Sequence, residues 1–280
     1  MKTKRIIARL DVKNDALVKG IHLEGLRVLG APDSFAEIYY NEGVDELVYM
    51  DVVASLYNRN GLSDFVKRTA NKIFIPLSVG GGIRKVEDVR ELLNSGADKV
   101  IINTAAVRNP KLITELAQRF GSSTIVVAIE AIKDSDTQYG VYIDNGREYT
   151  GKEVISWAKT VEELGAGEIL LTSVDREGTG KGLDYNLIEL VKNSVSIPVI
   201  AHGGISSVGD IETALTDHGI DAICASSIFH YEVVARSDYM HPDVSGNTSF
   251  LRSGNQKKNL DPISVKICKS YLKSHGVKVR

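Results

Sequence analysis

Short β-branched, apolar runs recur along the chain, and each is followed by a longer stretch whose apolar positions return every three or four residues. The runs predict strands over 5–11, 46–51, 74–79, 98–103, 124–130, 168–173, 197–202 and 221–226. The stretches between predict helices near 33–43, 61–71, 85–95, 109–119, 151–164, 184–193 and 207–217, with a last one at 263–275. Eight strands alternating with eight helices describe an α/β fold with a parallel sheet and crossover helices. That number favours closure into a (β/α)8 TIM barrel over an open sheet. An open doubly wound sheet would carry a glycine-rich turn after its first strand, and none follows residue 11.

The pattern also repeats within the chain. Ile75-Pro-Leu-Ser-Val-Gly-Gly-Gly-Ile83 is echoed by Ile197-Pro-Val-Ile-Ala-His-Gly-Gly-Ile205, and the run from Ala97 to Thr104 by the run from Ile220 to Ser227. Gly43-Val-Asp-Glu46 resembles Gly165-Ala-Gly-Glu168 in the same way. Four strands per copy mean two half-barrels facing each other, so a feature of one half has a counterpart in the other. One stretch breaks the pattern. Residues 231–262 are polar and rich in Gly, Ser and Asn, longer than a connection between a strand and its helix needs. They read as an insertion into one domain spanning 1–280, either a disordered loop or a segment at the catalytic face, where such connections lie.

Composition narrows the function classes. At 43% hydrophobic, 280 residues hold enough apolar material for one sizeable core. A formal net charge of −2 gives no electrostatic case for nucleic acid or anionic lipid as a partner. Cys224 and Cys268 are too few for a disulfide framework or a thiolate metal site. No cluster has metal-ligand spacing and no dinucleotide fingerprint follows a strand, so neither metal nor cofactor is expected. Arg9 and Asp11 interrupt the first apolar run, which rules out a signal-peptide core there, and no run is long enough to span a membrane. The expectation is a cytoplasmic protein.

Candidate chemistry lies at the strand ends. The glycines after the third strand, Gly82 among them, and Gly203-Gly204 after the seventh let backbone amides approach an anion closely. Asn103-Thr104 and Ser226-Ser227 end the fourth and eighth strands, where the N-termini of short helices favour phosphate. Such glycines can also simply make tight turns, but two matching sites in a repeated barrel suit a ligand with a phosphate at each end. Asp11 and Glu130 end the first and fifth strands and form a candidate acid–base pair across the mouth. Helix capping is the plainer role for such carboxylates. Asp51, Glu177 and Lys19 are secondary candidates on neighbouring loops. At the opposite end, Arg5, Glu46, Lys99 and Glu168 open strands 1, 2, 4 and 6 with the parity of inward-facing residues. They form either a self-neutralising gate or four solvated strand starts.

Together with Asn103-Thr-Ala-Ala-Val107, Gly165-Ala-Gly-Glu-Ile-Leu-Leu-Thr-Ser173 and His275-Gly-Val-Lys-Val-Arg280, these motifs resemble the HisF family from Arg5 to Arg280, with 231–262 unmatched. That family is the cyclase subunit of imidazole glycerol phosphate synthase. The resemblance implies an ammonia-dependent lyase of histidine biosynthesis. A separate HisH-type glutaminase would dock on the N-terminal face of the barrel and send ammonia through it to a phosphoribulosyl bisphosphate. The products would be imidazole glycerol phosphate and an aminoimidazole carboxamide ribonucleotide. In this reading Asp11 and Glu130 are catalytic, Gly82, Asn103 and Thr104 hold one phosphate, and Gly178, Gly204, Ser226 and Ser227 the other, with Lys19, Asp51, Thr172, Glu177, His202 and Gly203 beside the substrate. Arg5, Glu46, Lys99 and Glu168 gate the ammonia.

Four residues depart from the family pattern. Glu130 and Glu177 stand where the family has aspartate, Arg9 replaces a small residue, and His202 stands where serine is common. One methylene moves a carboxylate by about 1.5 Å, and a misplacement of ~1 Å can cost ~10²-fold in a positioned reaction. A buried Arg9 needs a carboxylate, and the lengthened Glu130 is the expected partner. These departures also resemble a HisF-like branch whose ammonia would amidate a nucleotide sugar in surface-polysaccharide biosynthesis. A third reading is a barrel that only activates its glutaminase.

Overall fold

The computed structural model describes residues 3–53, 62–135, 138–236 and 259–280. Twelve strands are present among them: β1 (Arg5–Lys13), β2 (Ala16–Ile21), β3 (Glu24–Gly30), β4 (Glu46–Asp51), β5 (Leu77–Gly80), β6 (Lys99–Ile102), β7 (Ile125–Lys133), β8 (Tyr139–Ile143), β9 (Glu148–Glu153), β10 (Glu168–Ser173), β11 (Val199–His202) and β12 (Ala222–Ala225). Eight of them, β1, β4, β5, β6, β7, β10, β11 and β12, pair in parallel in that order. The pairing of β12 with β1 closes the ring, so the chain is a (β/α)8 barrel.

The two-residue period of a strand sorts its side chains. On β1, Ile6, Ala8, Leu10 and Val12 face the helices and join the large outer core. Ile7 faces the axis, where it meets Val48, Ile101, Val126, Ala128, Leu170, Ile200, Ala222 and Cys224 in a separate buried apolar layer. No helix among the described residues is long and apolar enough to cross a membrane.

The two halves match locally. Each continues its first strand into an antiparallel hairpin, β2–β3 after β1 and β8–β9 after β7. Asp88 Oδ2 accepts from the backbone N–H of Arg84 at 2.8 Å, and Asp210 Oδ2 accepts from that of Ser206 at 2.7 Å. Asn103 and Ser226 precede the helices Thr104–Arg108 and Ser227–Ala235 with almost the same backbone angles, φ −135°, ψ −87° and φ −127°, ψ −79°.

Three sequence expectations need adjustment. Strands expected from 74 and 197 begin at Leu77 and Val199, because Pro76 and Pro198 have no N–H to give to the ladder. Their carbonyls still accept, from Leu47 and Ile169, both at 3.0 Å. The hairpins add elements that the alternating pattern did not predict, whereas the short helix Thr104–Arg108 starts where a short-helix N-terminus was expected. The stretch placed in an insertion from 231 starts helically, since Ser227–Ala235 runs on through it and Val233 is fully buried. Residues 237–258, most of that stretch, lie outside the described residues.

Candidate active site

At the end of the barrel where the strands begin, the four inward charges form a closed ring of alternating sign. Arg5 bonds Glu46 at 2.9 Å and Glu168 at 2.8 Å; Lys99 reaches Glu168 at 2.8 Å and Glu46 at 3.5 Å. Burial works against the charge on Arg5, but Glu168 and Glu46 outweigh it and its pKa is raised. Each charge therefore has at least two neighbours of opposite sign, with Arg280 a third for Glu46 at 3.9 Å, the condition under which ions persist away from water. The apolar layer stands directly above.

At the other end, the sequence-predicted residues gather on two rims. One rim surrounds a cavity of about 350 Å³ lined by Asp51, Gly82, Asn103, Thr104 and Glu130. The opposite rim brings Lys19, Glu177, Gly178, His202, Gly203, Gly204, Ser226 and Ser227 around a much narrower space of about 20 Å³. Gly204 has φ +100°, and a Cβ there would meet Gly182 O at 2.2 Å, so backbone lines this rim where a side chain could not fit.

Glu130 sits at the wide rim. Its Oε2 accepts from Gly146 N–H at 2.8 Å, and Asn103 also hydrogen-bonds it. Burial pushes its carboxyl up to about 7, against the pull of these donors and of Arg9. A carboxyl poised there can give or take a proton near neutrality.

Asp11 sits with the narrow rim. Its Oδ1 accepts from Arg9 Nε at 2.7 Å, and Lys19 Nζ lies 4.0 Å from its Oδ2. Lys19 is ion-paired to Glu177, whose Oε2 accepts from Leu23 N–H at 2.9 Å and so fastens the β2–β3 hairpin to the loop after β10. Burial lowers the Lys19 pKa to about 8, opposed by Asp11 and assisted by Arg9. His202 Nδ1 lies 3.2 Å from Thr172 Oγ1 and 3.5 Å from Arg9 Nη1. Burial, Arg9 and Lys19 hold the His202 pKa well below the usual imidazole value.

The expected Arg9–Glu130 pair does not form. Arg9 bonds Asp11 instead, because residues two apart on one strand share a face and are adjacent, whereas β7 stands away from β1 in the barrel. Sequence reasoning also missed Asp144, Asn145 and Gly146. The turn between β8 and β9 carries Asp144 and Asn145 into the wide cavity and supplies the Gly146 N–H that holds Glu130. The signal was present: Asp-Asn-Gly between two β-rich runs marks a turn with left-handed residues, and φ at the three is 52°, 60° and 76°. Among the described residues no group of His, Cys, Asp and Glu could hold a metal ion.

Comparison with known proteins agrees with this architecture. The profile of the family described as Histidine biosynthesis protein matches residues 5–235. The imidazole glycerol phosphate synthase subunit HisF of Legionella pneumophila is 57% identical over 208 residues, 74% of this chain and 98% of the relative. Its namesake from Alkaliphilus metalliredigens (strain QYMF) is 48% identical over 84% of this chain and 93% of the relative. That from Bacillus cereus (strain AH187) is 51% identical over 82% and 92%. With its closed barrel, its two-half construction and these similarities, the chain belongs to the histidine biosynthesis protein family, in the company of HisF subunits.

Proposed function

We propose that this chain is the cyclase subunit of an imidazole glycerol phosphate synthase, a lyase that consumes ammonia within histidine biosynthesis. The names of the relatives support the activity, and one observation of the structure carries the mechanism. The Arg5–Glu46–Lys99–Glu168 ring closes the floor of an apolar layer whose far side holds Asp11 and Glu130. A lone barrel enzyme has no use for a charged floor, which is costly unless it serves a purpose. An apolar layer above it admits neutral ammonia and rejects ammonium, whose desolvation is far more expensive.

The partner in this reading is a glutaminase subunit of the HisH type, and it docks on the face that carries the ring. The bisphosphate spans the mouth, one phosphate on Gly82, Asn103 and Thr104 and the other on Gly178, Gly203, Gly204, Ser226 and Ser227. Ammonia arriving through the layer attacks the ribulosyl carbonyl between them. Glu130, half-protonated near neutrality, donates to the oxygen that leaves as water. Asp11, paired with Arg9 and Lys19, is a carboxylate that accepts a proton as the chain cleaves and the imidazole ring closes.

A second reading rests on Arg9. A guanidinium bonded to Asp11 at the exit of the bore suits a different acceptor, with ammonia delivered to amidate a nucleotide sugar in surface-polysaccharide biosynthesis. One experiment separates the two. The purified chain is given ammonium salt with the phosphoribulosyl bisphosphate, and imidazole glycerol phosphate is measured. Turnover is the expected result; inertness toward the bisphosphate overturns the cyclase assignment in favour of the second reading.

A further inference from the structure

The two rims are built on matching backbone yet differ in one respect. Where β5 ends in Gly80, whose added Cβ would strike Met50 Sδ at 2.5 Å, the matching strand β11 ends in His202. The imidazole fills the narrow rim and touches three neighbours: Arg9 Nη1 and Thr172 Oγ1 at its Nδ1, and Ser226 Oγ, 3.4 Å from its Nε2.

The chemistry of these neighbours gives the contacts a direction. A guanidinium can only donate, so Nδ1 turns its lone pair toward Arg9, and the Thr172 hydroxyl can donate to the same atom. In a neutral imidazole the proton then sits on Nε2, which donates to Ser226 Oγ. Desolvation, Arg9 and Lys19 keep the ring neutral. Among the described residues Ser226 Oγ has no other partner, so its own O–H is left to point at whatever occupies the rim.

We propose that Arg9 and His202 are positioning residues that fix the Ser226 hydroxyl as a donor to the phosphate bound at Gly204 and Ser227. The proposal rests on reading that rim as a phosphate grip. Arg9 thereby serves two ends of the reaction. Its Nε holds the Asp11 carboxylate and its Nη1 sets the tautomer of His202. On the opposite rim, where Gly80 takes the place of His202, the matching residue Asn103 is held differently, by Glu130, which accepts from Gly146 N–H. The two rims thus orient their matching side chains through different partners, His202 with Arg9 on one side and Glu130 on the other.

The test uses the whole chain, 15N-labelled, with inorganic phosphate as the probe. Imidazole 15N shifts of the wild type are expected to show His202 neutral with its proton on Nε2; a proton on Nδ1 overturns the proposal. Phosphate is titrated while the amides of Gly204 and Ser227 are followed on one rim and those of Gly82 and Thr104 on the other. Arg9→Met is expected to weaken binding at Gly204 and Ser227 about fivefold, the worth of one oriented hydrogen bond, and to leave Gly82 and Thr104 unchanged. His202→Asn, which retracts the ring from Ser226 but keeps the Arg9–Asp11 pair, is expected to lose the same factor and covers the case in which Arg9→Met does not fold. Unchanged binding in His202→Asn, or equal weakening at both rims, overturns the proposal. Absence of any shift in the wild type overturns the phosphate reading as well, and so distinguishes the two failures.

Discussion

Arg9 Nε donates a 2.7 Å hydrogen bond to Asp11 Oδ1, and both side chains are almost wholly buried. Such a pair is held together as much by the penalty for separating it as by attraction. Arg9→Met and Asp11→Asn are each expected to lower unfolding free energy by about 3 kcal/mol, and the double variant by clearly less than the sum. Urea denaturation of the four proteins measures the coupling; strict additivity would mean that the two charges do not support each other.

The pH dependence of stability reports Glu130. Its carboxyl is raised from 4.5 to about 7 by burial, so between those values the folded chain holds a proton that the unfolded chain has lost. Stability from the neutral carboxyl is therefore complete below pH 4.5 and is lost as pH rises through 7. Relative to Glu130→Gln, the wild type is expected to lose on the order of 2–3 kcal/mol between pH 4.5 and pH 8. Urea midpoints at a series of pH values check this, and parallel curves for the two proteins would contradict it.

The barrel itself was legible in the sequence because period-two and helical patterns alternate cleanly and inward parity survives in each strand. Parity left Arg5, Glu46, Lys99 and Glu168 as either one ring or four solvated strand starts, and the family resemblance favoured the ring, which the ion pairs form. The β2–β3 hairpin was not legible in the same way. His22 and Leu23 turn β2 into β3 with φ of 54° and 62°, a conformation that histidine tolerates better than most residues but that leucine does not advertise. The partner of Arg9 escaped as well, since chemistry asked only for a carboxylate and strand geometry chose the near one. His202 looked like an isolated substitution until Arg9, Thr172 and Ser226 were seen around it.

The charged floor yields a separable expectation. Lys99 is the most exposed member of the ring, and Lys99→Met leaves Glu168 to Arg5, and Glu46 to Arg5 and the more distant Arg280. The loss lies between those of surface and buried pairs, about 2 kcal/mol. With ammonium salt in solution, turnover is expected to stay within about twofold of wild type, while glutamine-driven turnover with the glutaminase bound falls more steeply. Equal losses in both assays would place Lys99 in the chemistry rather than the passage.

Gly204→Ala tests the narrow rim. The new Cβ would lie 2.2 Å from Gly182 O on a backbone with φ +100°, a strain of about 1–3 kcal/mol. Steady-state kinetics with the bisphosphate are expected to show KM rising much more than kcat falls, because in the proposed mechanism the rim binds substrate and does not react with it. A fall in kcat alone would contradict that role.

The proposed route carries nitrogen through the barrel and not through solvent. The barrel with its glutaminase is given amide-15N glutamine in a large excess of unlabelled ammonium, and 15N is measured in imidazole glycerol phosphate. Passage along the axis predicts product labelled mainly from glutamine. Product labelled in proportion to the bulk ammonium pool would contradict it.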